Sequence, residues 1–446
     1  MQMEPNNKSR RNFVKQTGLL AGGFMVLPTL GRANFFSGAD DAIKVALVGC
    51  GGRGTGAAMQ ALLSKQNVKL VAMADAFRDR LDSCYKTLTA KDTSDVTGVK
   101  GNMLSKIDVP EERKFVGFDA YQKAIPFADV VILATPPGFR PDHFEACVKQ
   151  GKHVFMEKPV ATDPAGVKKV LEAAAIAKQK KLNVVVGLQR HYQNSYRELY
   201  KRKDQIGDIT SAQAWWNNDG VWVKKRQPNQ TEMEYQMRNW YYFVWLCGDH
   251  IAEQHIHNID VVNWFKGAYP VKAQGMGGRE VRTGKEYGEI FDHHYVEFEY
   301  ADGSILNSQC RHIPKTMSRV DELIVGTKGR IHCGAGKIVD GKGNALYQFD
   351  RKGENNPYQT EHDELFAAIA KGEYKFADAE NGALSTMTSI LGRMATYSGQ
   401  VVHFDKALNS GLNLMPKEYS FTATPPVVPN ADGFYPVAVP GVTKYA

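Results

Sequence analysis

A short apolar strand that runs straight into Gly49-Cys50-Gly51-Gly52-Arg53-Gly54 constrains this chain more than any other feature of its sequence. Residues 42–48 (Ala-Ile-Lys-Val-Ala-Leu-Val) form the kind of β-branched run that a buried parallel strand needs. The glycines then lead into a helix-like stretch, Thr55–Ser64. In a G-x-G-x-x-G turn the first glycine permits the bend and the second lets the backbone approach a pyrophosphate. The third allows close packing of helix on strand, and the free N–H groups at the helix start face the phosphates. The pattern therefore predicts Gly49, Gly51, Gly52, Arg53 and Gly54 around a dinucleotide. A second apolar run, Lys69–Ala74, ends at Asp75, about 20 residues on, where a ribose-binding carboxylate is expected. A carboxylate there accepts from a 2′-hydroxyl and repels a 2′-phosphate, so NAD is the expected cofactor; Arg78 close by leaves NADP open.

Strand-like and helix-like runs go on alternating. Strands are predicted at 128–134, 152–155 and 183–187, with helices at 143–150 and 164–181 between them. That order implies an α/β fold with a doubly wound, mostly parallel sheet, whose ligands sit at the carboxyl ends of its strands. Gly49, Asp75, Thr135 and Lys158 all fall at such ends. The length of 446 residues leaves room for a second domain.

The N-terminus bears on location. Residues 9–15 read Ser-Arg-Arg-Asn-Phe-Val-Lys, a twin-arginine (Tat) pattern, followed by an apolar run from Thr17 to Leu30. A bilayer span needs about 20 residues, so an export signal fits better. Cleavage is expected after Ala33, with Ala39 as the other choice, which implies a periplasmic protein with no stable membrane insertion after processing. Lys8, Arg10, Arg11, Lys15 and Arg32 against Glu4 account for half of the formal +8. The remaining mild charge, without a basic patch, argues against a nucleic-acid partner. Six cysteines are too sparse for a disulfide scaffold.

Together with the glycine turn and Asp75, Ala-Thr-Pro at 134–136 and Glu-Lys-Pro at 157–159 resemble the Gfo/Idh/MocA family of NAD(P)-dependent oxidoreductases, which act mainly on sugars and cyclitols. The resemblance implies a Rossmann domain (42–182), a substrate domain with an open, mostly antiparallel sheet (183–410) and, beyond it, a Pro-rich tail (411–446). It implies that Lys158 binds the reacting hydroxyl, that Thr135, Pro136 and His143 line the nicotinamide, and that Glu157 lies at the cofactor. His257 matches the catalytic histidine, with Glu253 where the family usually has Asp. Arg190 and His191 are expected to reach the cleft, Arg190 equally as a structural anchor, and His250 and His255 to join a sugar-binding cluster. The partner so implied is a small carbohydrate, and the protein is expected to be a homo-oligomer.

The chemistry asks for the same residue types. Oxidising a secondary alcohol needs a proton acceptor, which a histidine supplies, and a cation to stabilise developing alkoxide, which a lysine supplies. A rival use of the histidines is a divalent metal: His250, Glu253 and His257 share one face if their segment is a single helix, and Asp292-His293-His294 follows. No H-E-x-x-H spacing is present and the family works without metal, so none is expected. Trp215, Trp216, Trp222 and the stretch Trp240–Trp245 are expected in a mixed sheet, as sugar-stacking platforms or as core.

Export combined with a diffusible cofactor implies that the cofactor is tightly held and reset in place. A dehydrogenase acting on a ring hydroxyl such as C3 of a glycoside is the expected activity. The alternatives are a glycosidase that oxidises C3 transiently and eliminates the C1 substituent, and a cofactor-bearing sugar-binding module without turnover. The tail is expected to wrap its own domain or a neighbouring subunit.

Overall fold

The computed structural model describes residues 42–95 and 98–444, so the twin-arginine segment lies outside the described residues. Strand β1 (Ile43–Val48) is buried at all but one position, as a strand covered on both faces must be. It lies at the centre of a six-stranded sheet with β2 (Val68–Asp75), β3 (Lys114–Val116), β4 (Val130–Leu133), β5 (His153–Met156) and β6 (Val184–Val186). The order is β3-β2-β1-β4-β5-β6, with every pair parallel. This is the doubly wound arrangement whose ligands lie where the strand order reverses, beside β1.

A second sheet of nine strands follows. It contains β7 (Ile209–Asn218), β8 (Lys272–Gly278), β9 (His293–Glu299), β10 (Ile305–His312), β11 (Arg319–Gly326), β12 (Gly329–His332), β13 (Lys337–Asp340), β14 (Ala345–Gln348) and β15 (Val402–His403). Only β7 and β10 pair in parallel; every other pairing is antiparallel. Burial alternates along β9 and β10, so one face of the sheet packs inward. Ala214, Val296, Phe298 and Leu306 on that face share a core with Ile251 and Ile259, and with Met387 and Ile390 of the helix Ala379–Ser398. Both sheets and their layers thus match the α/β architecture the sequence predicts.

Two local expectations are corrected, and one left open is decided. Trp240–Tyr242 forms a 3₁₀ turn and Val244–Cys247 a single helical turn, so these aromatics are not in the sheet. Their bulk drives them into a core of their own with Met233 and Phe139. His250 and His257 do not share a helix either: the chain forms His250–Glu253, breaks at Gln254 and His255, and resumes as Ile256–Lys266. Finally, the tail returns to its own chain, where Leu414 N–H donates to Asp163 Oδ2 (2.7 Å) and Gln236 Nε2 to the Val427 carbonyl (2.7 Å). Among the described residues no helix is long and apolar enough to cross a membrane.

Candidate active site

The glycine turn leaves an open cradle. Gly49 has φ +96°, and a Cβ there would lie 2.5 Å from the Ala134 carbonyl carbon. A Cβ on Gly54 would sit 1.9 Å from the Gly49 carbonyl oxygen, which is the close packing of helix Gly52–Leu62 on the turn. At Gly51 and Gly52, by contrast, a Cβ meets nothing within 4 Å, so their backbone faces free space at the helix N-terminus. That space is a cavity of about 680 Å³, bounded also by Asp75, Thr135, Pro136 and His143. Bare N–H groups, room and a carboxylate at the end of β2 fit a dinucleotide.

Asp75 holds the turn as well as facing the cavity: its oxygens accept from Cys50 N–H (2.6 Å) and Phe77 N–H (2.9 Å). Burial raises its pKa against the pull of those two bonds. Arg78 turns outward to Asp82 (2.9 Å) and Glu111 (2.5 Å), and it is Arg80 that lines the cavity. Arg53 lies on the wall, yet its guanidinium is committed to Glu157 (2.5 Å) and Gln60 (3.0 Å). Glu157 is buried behind the wall and ties the glycine turn to the end of β5.

At the other end, Thr135 Oγ1 lies 3.2 Å from His143 Nδ1, and the Tyr121 ring packs 4.0 Å from the imidazole. Burial and the neighbouring Arg140 push the His143 pKa down to about 3, so the ring is neutral. Arg140 itself is buried and donates to the carbonyls of Thr135 and Pro159, clipping two strand ends together.

Lys158 reaches over from β5 to the helix His250–Glu253. Its Nζ donates to the carbonyl oxygen and to Oε1 (3.0 Å) of Glu253, and both side chains are about nine-tenths buried. Glu253 lies on the cavity wall, and its Oε2 is buried without a partner. Burial raises the Glu253 pKa, opposed by the Lys158 charge. His257 lies one step deeper, with its ring 5.9 Å from Trp216 and Nδ1 unpartnered. Burial, with the positive charges of Lys158, Arg190 and Arg53, holds its pKa well below the usual histidine value.

Lys158 and His257 are not themselves on the cavity wall, and the remaining predicted residues also sit off it. Arg190 forms a buried ion pair with Glu322, which also accepts from Tyr196 (2.9 Å) and Asn258 (2.7 Å). His191 pairs with Asp260 (2.7 Å) and stacks on Trp264. His255 bonds Ser308 (2.8 Å), and His250 belongs to a separate buried cluster. The wall also uses residues the sequence did not single out, among them Phe118, Gln254, Arg238 and Tyr241. Arg238 makes a two-point ion pair with Asp79 (3.1 Å each) and lies 4.0 Å from the Phe77 ring. Phe421 of the tail packs on Phe77 and Phe118, with centroids at 5.2 and 4.9 Å, so the tail borders the cofactor side of the cleft.

Comparison with known proteins agrees with this fold. The inositol 2-dehydrogenase of Serratia proteamaculans is 28% identical over 246 residues, 53% of this chain but only 65% of that enzyme. The scyllo-inositol dehydrogenase of Lactobacillus casei, solved with NAD(H) and scyllo-inositol, superposes with a TM-score of 0.60 at 18% identity, covering 82% of this chain and 100% of that one. The aldose-aldose oxidoreductase of Caulobacter crescentus, solved with glycerol, gives 0.59 at 17% identity over 81% and 100%. At these identities the structural likeness is one of fold. Residues 43–188 match the sequence model of the oxidoreductase family with an NAD-binding Rossmann fold, so this part of the chain is similar to the NAD-binding domain of Gfo/Idh/MocA oxidoreductases.

Proposed function

We propose that this protein is an exported NAD-dependent dehydrogenase that oxidises or reduces a secondary hydroxyl of a cyclitol, sugar or glycoside while keeping its cofactor bound. The observation that carries the reading is the buried Lys158–Glu253 pair, of which Glu253 lies on the cavity wall. Two of the three ammonium N–H groups go to Glu253, which leaves one for a substrate oxygen. Glu253 Oε2 has no partner and can accept from the adjacent hydroxyl of a polyol ring. His257, kept neutral by burial, takes the proton of the reacting hydroxyl, and Lys158 stabilises the developing alkoxide. When bound, NAD would supply the two-electron acceptor; Thr135 and His143 would line its nicotinamide, and the glycine cradle and Asp75 would hold its phosphates and ribose.

The relatives support a ring polyol as substrate, since two of those named are inositol dehydrogenases. An aldose-aldose oxidoreductase among the fold neighbours fits a cofactor reset by a second substrate. The tail packed over Phe77 and Phe118 supports retention. The twin-arginine segment supports export to the periplasm. The test is a panel of cyclitols and glycosides added to the purified protein, with nicotinamide absorbance and products followed together. Keto product with reduced cofactor is expected. Free aglycone with unoxidised sugar would identify the transient-oxidation glycosidase instead.

A further inference from the structure

Behind Tyr241, away from the cavity, three side chains converge on one point. Asp249, His250 and His294 each place a ligand-type atom within 4.8 Å of the others, and all three are buried. His250 leaves both ring nitrogens unpartnered, and His294 leaves Nε2.

The proton count around His294 sharpens this. Thr396 Oγ1 lies 3.1 Å from the Gly392 carbonyl and 3.0 Å from that of Arg393, so its single hydroxyl proton is spent on the helix backbone. It therefore accepts from His294 Nδ1–H at 2.9 Å. In its neutral form the ring then turns its Nε2 lone pair toward Asp249 Oδ2, 3.3 Å away. The same Oδ2 accepts from Tyr397 OH (2.5 Å) and Phe291 N–H (3.0 Å), which fix the carboxylate in place. A ring nitrogen and a carboxylate oxygen facing each other in a dry interior need a positive charge between them, either a proton or a metal ion.

We propose that Asp249, His250 and His294 bind one zinc-class divalent ion. Two donors each about 2.1 Å from a tetrahedral zinc lie about 3.4 Å apart. The observed separations are 3.3 Å from Asp249 Oδ2 to His294 Nε2 and 3.8 Å from Asp249 Oδ1 to His250 Nε2, and one ligand atom of each residue lies within 4.8 Å of the other two. Imidazole and carboxylate donors suit zinc and the late first-row divalent metals. A single proton between Asp249 and His294 would still leave His250 without a partner, whereas an ion serves all three. Thr396, Tyr397 and Phe291 are then the outer contacts that orient the ligands. Asp249 also holds φ +71°, a backbone region that favours glycine, so the carboxylate is kept where a glycine would be easier. Because Asp249 caps the helix His250–Glu253, the ion would position the Glu253 that grips Lys158.

The test uses the full chain, stripped with chelator, reloaded with Zn²⁺ or Co²⁺ alone and desalted. About one metal per chain is expected by plasma mass spectrometry, with a visible Co²⁺ ligand-field band. Asp249→Asn, which tolerates the positive φ, and His294→Gln should each lower retention by about tenfold or more. If those variants do not fold, X-ray absorption of the wild-type Co²⁺ protein decides, and an imidazole-rich shell with one carboxylate supports the site. No retained metal, retention unchanged in folded variants, or a shell of sulfur or oxygen alone would overturn it. In the first case an imidazolium–carboxylate pair holds the cluster.

Discussion

Lys158 and Glu253, 95 positions apart in the chain, close a buried ion pair 3.0 Å long across the cleft between the parallel sheet and the helix His250–Glu253. Glutamate stands here where the family resemblance leads one to expect aspartate, and its longer side chain still reaches the ammonium. One N–H of the ammonium and the buried Glu253 Oε2 stay uncommitted.

Lys158→Met and His257→Gln are each expected to lower kcat/KM by about 10²- to 10⁴-fold on the best cyclitol or glycoside found, with NAD affinity nearly unchanged. Steady-state kinetics and NADH fluorescence titration read the two quantities separately. Loss of NAD binding in proportion to activity would instead make both residues part of the cofactor site.

Glu253→Gln leaves the Lys158 charge buried without its counter-ion. A cost of about 3 kcal/mol is expected from breaking a buried pair on one side. Thermal melts compared with Glu253→Asp, which keeps the charge, check this. Equal stability of the Gln and wild-type proteins would show that solvent reaches the pair freely.

Asp75→Ser should weaken NAD binding by about tenfold and narrow the preference over NADP, because the carboxylate that accepts from a ribose hydroxyl and repels a phosphate is gone. Arg80, rather than the outward-paired Arg78, is positioned to receive a 2′-phosphate in that variant. Isothermal titration with both nucleotides measures the change, and an unaltered ratio would contradict the assignment.

Removing the tail after Asn413, or mutating Phe421→Ala, should speed cofactor loss by at least about tenfold, since the cofactor side of the cleft loses an aromatic cover. The amount of nucleotide that stays with the protein through gel filtration reports this. Full retention in the truncated protein would remove the tail from the account.

Stability should fall on acidification. Burial holds the pKa values of His143, His255, His257 and His362 below the ordinary histidine value. Above about pH 6.5 both folded and unfolded chains carry these rings neutral, so they do not change the balance. As pH falls through about 6.5 the unfolded chain takes up protons that the folded chain refuses, which removes about 1.4 kcal/mol per pH unit for each ring. Glu289, whose pKa burial raises to about 7, and Glu361, raised likewise, contribute stability over the same range and offset part of this, so melting temperatures should drop by a few °C, about 5 °C at most, from about pH 7 to about pH 5.5. A flat profile would mean that the rings are already protonated or become solvated.

How far the sequence carries this picture depends on range. The glycine turn, Asp75 and Glu157-Lys158-Pro159 are read easily, because each is a local pattern at a strand end whose chemistry is set by neighbours in the chain. Arg78 and Arg80 differ only in which side of one helical turn they take, and the acids at 82 and 111 that draw Arg78 outward are invisible to spacing alone. The aromatics at 240–245 have strand-like composition, but packing against Met233 and Phe139 coils them instead. Phe118 and Phe421 meet across some three hundred residues, with no periodicity to announce it. The same holds for Asp249 and His294, which come from a loop and from β9.

The most direct test of the central claim is to denature the freshly purified protein and identify the released nucleotide by mass spectrometry. The account predicts about one NAD per chain. No released nucleotide, combined with no binding of NAD or NADP by the native protein, would contradict it.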